Sequence, residues 1–346
     1  MSANQDRGKN YSVIQWNRSA SSDNDENNVI SFPLQAKHGQ KYLNLWKIIL
    51  WNLFIIKILF VKRKEIVSVH SIDFDAIIPS FIFCKLFNKK IIFDIYDKYT
   101  ESRGISGRIG GLIESLERFF IIKSDVSILA DESRVKQHEL EFRPGNLMII
   151  ENVPEEMNIY SRNDLECKKI KIGYVGGLES KNRGLEDICD FVVGSDKYEF
   201  YIAGFGDLDN FFSKKSNEYS NVHFMGSCKH EDGMKLLASC DIVLGMYYLN
   251  VKNHEFAAPN KYYEHLMLGK PLLTTLGTPP GDKVMKYDTG WALQDSYDAV
   301  AEFLNTSINS EDLDRLGLNA KQLWESKYSS YYKDVIAGSY IDKSHG

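Results

Sequence analysis

The residues best suited to chemistry lie in the second half of the 346-residue chain. Phe256 to Thr275 reads FAAPNKYYEHLMLGKPLLTT, in which Lys261 and Glu264 stand one helical turn apart. Glu264 is an acid among apolar and aromatic neighbours, a setting in which its oxygens can accept hydrogen bonds from ligand hydroxyls. Upstream, KIGYVGGLESKNRGLEDI sets Gly176 and Gly177 ahead of Lys181 and Arg183. Glycines let backbone approach a ligand closely. An arginine binds paired phosphate oxygens bidentately, and the N–H groups of a helix opening near Gly184 attract anions. A second glycine pair, Gly204 and Gly206 in YIAGFGDLDNF, repeats the theme. These types and spacings suit a seat for a phosphate-bearing ligand that also carries hydroxyls. Each feature also has a plainer reading: Glu264 and Lys261 as solvated surface residues, the glycine pairs as ordinary strand-to-helix turns.

Positioning such groups needs particular elements. Pro259 suits the first turn of a helix, where its missing N–H is no loss. Tyr262, Leu266 and Met267 recur at helical spacing, Gly269 closes the run, and Pro271 leads into a buried strand over 272–274. Before this, the pattern gives strands at 170–175, 198–203, 222–224 and 241–245, with helices from Leu185 and over 231–239, and a turn over 204–209. The first half gives strands at 11–16, 29–32, 65–70, 90–95, 125–129 and 147–150. Helices are expected over 41–61, 75–87 and 106–123, and from Ser133. The stretch from Tyr297 to Ile341 reads as largely helical.

Strands alternating with helices imply parallel sheets covered on both faces. The length implies two domains. We expect a Rossmann-like domain over 1–152, a polar linker over 153–167, a second Rossmann-like domain over 168–325, and a helical tail over 326–346 that packs back on the first domain.

Composition narrows the partners. The net charge of −5 argues against nucleic-acid binding. Five scattered cysteines without C-x-x-C spacing fit a reducing cytosol and no zinc site. The polar start, MSANQDRGKNYSV, predicts a chain without a signal peptide, hence a cytoplasmic one. Leu43 to Val61 is apolar but interrupted by Lys47, Asn52 and Lys57, and is followed by Lys62, Arg63 and Lys64. It reads either as a helix packed on the sheet with one wet edge, or, over 41–64, as a peripheral contact with the inner face of an anionic membrane.

The string PNKYYEHLMLGKP closely resembles the nucleotide-binding helix of GT-B glycosyltransferases of family 4. That resemblance implies a donor site in which Glu264 holds the donor ribose, with Pro259, Asn260 and Lys261 beside it. The 171–188 string is similar to the family's opening of the donor domain, which implies that Arg183 contacts the diphosphate, with Lys181 as a helper and Gly176 and Gly177 alongside. Relatives often carry a basic residue at the Gly177 position, so one phosphate contact is absent here. Gly204 and Gly206 match the next glycine turn of the nucleotide pocket. The first glutamate of the family's E-x7-E pattern is replaced by Phe256, as in members with the P-N-K version. His254 and Glu255 would face the transferred sugar.

In the first half, VHSIDFDAIIPS and IIFDIYDKYTESRG resemble the strings that end strands at the inter-domain cleft. His70, Asp73, Asp97 and Tyr99 are kept, whereas Ile72 and Tyr96 stand where relatives have histidines. His70 is carried as a third catalytic candidate beside Arg183 and Glu264. Only ten polar residues precede the strand at 11–16, so we expect the N-terminal domain to lack its first strand-helix unit, with a protein partner as one source of it.

The resemblance therefore implies a retaining, metal-independent hexosyltransferase-type enzyme without a cofactor. Its donor would be a nucleotide diphosphate sugar and its acceptor a lipid-linked or growing surface glycan, as in lipopolysaccharide, capsule or exopolysaccharide synthesis. The alternative is a catalytically weak GT-B subunit that binds nucleotide or a partner. A sugar-nucleotide epimerase of related design fits less well, because its histidine and carboxylate set is not evident.

Overall fold

The computed structural model describes residues 11–17, 28–34, 45–157, 159, 169–306 and 308–335. Most of the expected linker and the end of the expected tail lie outside them. The chain divides into two compact units, one of residues 1–150 with 333–346 and one of residues 151–332.

In the first unit, β1 (Val13–Trp16) and β2 (Val29–Phe32) pair in parallel with each other, apart from the main sheet. Helix α1 (Leu45–Val61) packs on them through Trp51, which stacks on Trp16 at 6.0 Å. The main sheet has parallel order β3 (Ser68–Ile72), β4 (Lys90–Ile95), β5 (Val126–Leu129), β6 (Leu147–Ile149). Strand β3 begins three residues later than the apolar run EIVSVH suggests, because its pairing with β4 starts at Ser68 and Lys90. Between the strands run α2 (Phe74–Phe87), α3 (Tyr99–Arg103), α4 (Gly107–Lys123) and α5 (Ser133–Gln137). Trp51, Ile55 and Leu59 of α1, Ile77 and Phe83 of α2, and Phe120 and Ile121 of α4 form one core with Ile91, Phe93 and Ile95 of β4. The three helices therefore cover the same face of the sheet.

In the second unit, β7 (Ile170–Leu178), α6 (Leu185–Val193), β8 (Tyr198–Gly206), α7 (Asp209–Glu218) and β9 (Val222–Phe224) build one half. The other half follows as α8 (His230–Ala238), β10 (Ile242–Gly245), α9 (Lys261–Leu268), β11 (Leu272–Thr275), α10 (Pro279–Tyr287) and β12 (Gly290–Leu293). Helices α11 (Tyr297–Asn305) and α12 (Ser310–Leu323) close the unit. The parallel order is β12-β11-β10-β7-β8-β9, so the chain steps outward from β7 and then starts again on its other side at β10. Ligands in such sheets bind at this switch, outside the carboxyl ends of the strands.

Two departures from the sequence expectations matter here. β7 and β8 stay paired through Gly176↔Gly204 and Leu178↔Gly206, so the glycine pairs lie inside strands and the turn shrinks to Asp207 and Leu208. The stretch after Thr275, left without elements by its pattern, holds α10 and β12. Pro279 opens α10 behind Thr278, whose side chain accepts from the Gly281 N–H.

Candidate active site

The switch point of the second unit gathers most of the sequence-selected residues. Gly204 shows why glycine is needed where β7 and β8 end. With φ at +148°, a Cβ there would lie 1.8 Å from the Gly176 carbonyl oxygen. The expected role, close approach to a ligand, is thus accompanied by close approach of the two strands to each other. Beyond β7 the chain turns through Lys181, whose φ is +62°, to Gly184 at the cap of α6. The acids of the first turn of α6 are engaged locally. Glu186 accepts from the Ser180 hydroxyl at 2.9 Å and the Lys181 N–H at 3.0 Å, and Asp187 accepts from Tyr248. Lys181 itself is exposed.

Arg183 is held in a fixed posture. Its guanidinium donates to both carboxylate oxygens of Glu179, at 3.2 and 2.9 Å, and lies 4.8 Å from the centre of the Tyr247 ring. Glu179 thus occupies the fork that a phosphate would engage. The Tyr174 hydroxyl donates to the Gly177 carbonyl at 2.6 Å, and burial pushes that phenol up to about 12.

Helix α9 closes the site. Asn260 caps it and Pro259 stands one residue outside, its carbonyl accepting from the Tyr262 N–H at 3.3 Å. Gly269, at φ +62°, ends it as its position suggested. The Lys261 ammonium donates to the Val175 carbonyl, lies 4.4 Å from the Tyr174 ring centre, and would be 2.7 Å from a Cβ at Gly176. Burial is the main cause that brings its pKa down to about 8, with the Arg183 charge acting the same way and Glu264 opposing. Glu264, one turn further, is 8% exposed, and its carboxylate has no hydrogen-bond partner among the described residues. Burial pushes the Tyr247 phenol upward, and Arg183, Tyr174, Glu264 and Glu179 all act on it electrostatically. Two cations, two carboxylates and two phenols therefore share one small volume at the switch.

Tyr174, Glu179 and Tyr247 are the members that sequence reasoning passed over. Tyr174 lies in the quoted string, but only the structure shows its hydroxyl on the Gly177 carbonyl and its ring beside the Lys261 ammonium. His254, an expected sugar contact, is buried, and its Nδ1 is 2.8 Å from the Tyr248 carbonyl.

In the first unit, His70 lies within β3, Asp73 follows that strand at the cap of α2, and Asp97 follows β4. His70 Nε2 is 3.0 Å from Asp94 Oδ2. Asp73, at φ +55°, accepts from the Tyr96 N–H at 2.9 Å, and burial raises its carboxyl to about 6. Asp97 pairs with buried Arg134 at 3.2 Å. Tyr99 is buried and donates to Asp75 at 2.7 Å. Ile72 and Tyr96 are both exposed at this edge.

This architecture is the GT-B fold. HepE of Anabaena, solved with UDP-glucose, matches over 96% of this chain and 100% of its own, with TM-score 0.67 and 12% identity. Sucrose-phosphate synthase from Thermosynechococcus elongatus matches over 97% and 91%, with TM-score 0.70 and 14% identity. WaaG, a glycosyltransferase involved in lipopolysaccharide biosynthesis, matches over 83% and 94%, with TM-score 0.55 and 13% identity. No protein-family model and no curated protein sequence matches the chain.

Proposed function

We propose that this chain is a glycosyltransferase of family 4 type that takes a sugar from a nucleoside diphosphate donor. The carrying observation is Glu264, a nearly buried carboxylate with open acceptor capacity, one turn from a half-buried lysine at the switch of a parallel sheet. Ribose hydroxyls satisfy that carboxylate. Arg183, released from Glu179, and Lys261 take the diphosphate, so the charge that grows on the leaving group meets fixed cations. The chemistry asked of the chain is orientation and charge stabilisation, which needs no metal; a nucleophile from the chain is not required. HepE, whose structure was solved with UDP-glucose, supports a uridine donor as the first trial.

Retention of anomeric configuration and a lipid-linked or growing surface glycan as acceptor rest on the resemblance of residues 256–275. The cationic, apolar character of α1 supports an acceptor presented at the inner face of a cell membrane. In the first unit, burial raises the Asp73 carboxyl to about 6, which suits it to an acceptor hydroxyl.

The test is calorimetric titration of UDP, GDP, ADP and their sugars into the purified chain without added metal. One nucleotide is expected to bind distinctly more tightly than the others. No binding by any of them overturns the donor-site assignment and favours a GT-B scaffold that serves as a subunit.

A further inference from the structure

The first unit exposes far more apolar surface than its fold requires. Helix α1 is apolar on both sides. Trp51, Ile55 and Leu59 face the core, while Trp46, Ile49, Leu53, Ile56 and Phe60 on the other side are each at least 42% exposed. Helix α4 repeats this arrangement. Its inner side is Phe120 and Ile121, and its outer side carries Ile109, Leu112, Leu116, Phe119 and Ile122 at spacings of three and four. Between them, α2 exposes Ile82 and Leu86. The three stripes are joined through side chains. Phe60 of α1 meets Phe87 of α2 at 6.0 Å, and Phe81 of α2 meets Phe119 of α4 at 5.8 Å. A continuous apolar face of this kind marks an interaction surface.

Charge decides what covers it. The chain as a whole carries −5, yet 45–64 holds Lys47, Lys57, Lys62, Arg63 and Lys64 and no acid, and 76–90 holds Lys85, Lys89 and Lys90 and no acid. Arg108 and Lys123 flank the stripe of α4, whose Glu114 and Glu117 turn toward Lys98 and His138. The Arg63 guanidinium lies 4.5 Å from the Phe60 ring centre, and the Lys85 ammonium 5.3 Å from that of Phe81, so cations stand directly at the apolar rings. No helix among the described residues is long and apolar enough to cross a membrane. An apolar face bearing aromatic rings and interleaved with cations fits the headgroup and acyl boundary of an anionic bilayer.

We propose that α1, α2 and α4 together form one docking surface for an anionic phospholipid bilayer, so that α2 and α4 share the contact that the sequence pattern suggests for 41–64 alone. The proposal deepens the reading of a membrane-presented acceptor and is separable from the donor site.

The experiment is co-sedimentation of the full chain with vesicles of phosphatidylcholine alone and with about one third phosphatidylglycerol. Binding to the anionic vesicles is expected, weakening by about fivefold for each surface lysine replaced by glutamine. Leu112→Asp in α4, and separately Leu53→Asp in α1, should each lower the partition constant at least tenfold. Both side chains are more than half exposed, so folding, checked by circular dichroism, and UDP affinity should be unchanged. The proposal is overturned if the wild type ignores anionic vesicles, or if Leu112→Asp binds them as the wild type does. It is also overturned if the wild type is a dimer that either substitution turns into a monomer, because the face then covers a second copy. Vesicle binding without UDP binding would instead count against the donor site alone.

Discussion

Replacing Glu264 tests the site most directly. The carboxylate is nearly buried, has no hydrogen-bond partner among the described residues, and stands one turn from a lysine whose charge it helps to hold. Two ribose hydroxyls donating to it would each contribute about 1.5–3 kcal/mol as charge-assisted bonds, with less than full additivity. Glu264→Gln keeps the shape, so its cost in UDP binding should be about 2–4 kcal/mol, or roughly 30- to 1,000-fold in Kd. Part of that loss would come through Lys261, which loses a favourable charge. The two causes separate in a cycle with 2′-deoxy-UDP measured by titration calorimetry. A direct ribose contact makes the wild type discriminate against the deoxy nucleotide and makes Glu264→Gln nearly indifferent to it. Equal losses for both nucleotides would refute the ribose contact and leave Glu264 as the counter-charge of Lys261. Unchanged UDP affinity in a folded variant would remove it from the site.

Two further outcomes follow from the same geometry. A diphosphate next to Lys261 raises the pKa of that ammonium from its value of about 8 in the free protein, so binding takes up a proton above that pH. UDP affinity should therefore fall by up to about tenfold per pH unit above pH 8, a slope that Lys261→Met should abolish; an equal slope in both proteins would show that Lys261 does not titrate with binding. In the paired strands, Gly204→Ala would drive a Cβ into the Gly176 carbonyl, at 1.8 Å, whereas Gly177→Ala would meet only Glu179 Oε1, at 3.7 Å. Urea unfolding should show the first variant destabilised by about 2 kcal/mol or more and the second by under about 1 kcal/mol, and equal effects would contradict the strand pairing.

Much of this was legible because strands buried on both faces read as apolar runs. KIIFDI and the run opening KIGYV announced β4 and β7 within a residue at their starts. The ends were less legible. Glycine pairs read as turns when judged alone, and only the partner strand shows that two of them face each other in a ladder. Helix α10 was hard to read because its buried side opens with Pro279, Pro280 and Gly281, which look like a turn, and edge strand β12 is four residues long with only Gly290 buried. In the site, the charged residues were legible and their partners were not. Arg183 is visible in NRG, but its lock on Glu179 depends on how the turn through Lys181 folds back.

That lock bears on how the site works. A guanidinium with both forks on a carboxylate and an aromatic face beside it is already oriented, so little order is lost when phosphate oxygens replace Glu179. Glu179 is half-exposed, which lets it withdraw into water once displaced, and the exchange then swaps one charge-assisted pair for another. Lys261 has no carboxylate within hydrogen-bond reach among the described residues: it rests on a carbonyl and an aromatic ring, Glu264 supports its charge only at longer range, and burial opposes that charge. An arriving diphosphate therefore supplies the close, hydrogen-bonded counter-charge that Lys261 lacks, while merely exchanging the one Arg183 already has. On these grounds Lys261 contributes more of the net binding energy and Arg183 more of the orientation, even though the arginine is the residue that sequence pattern brings forward first.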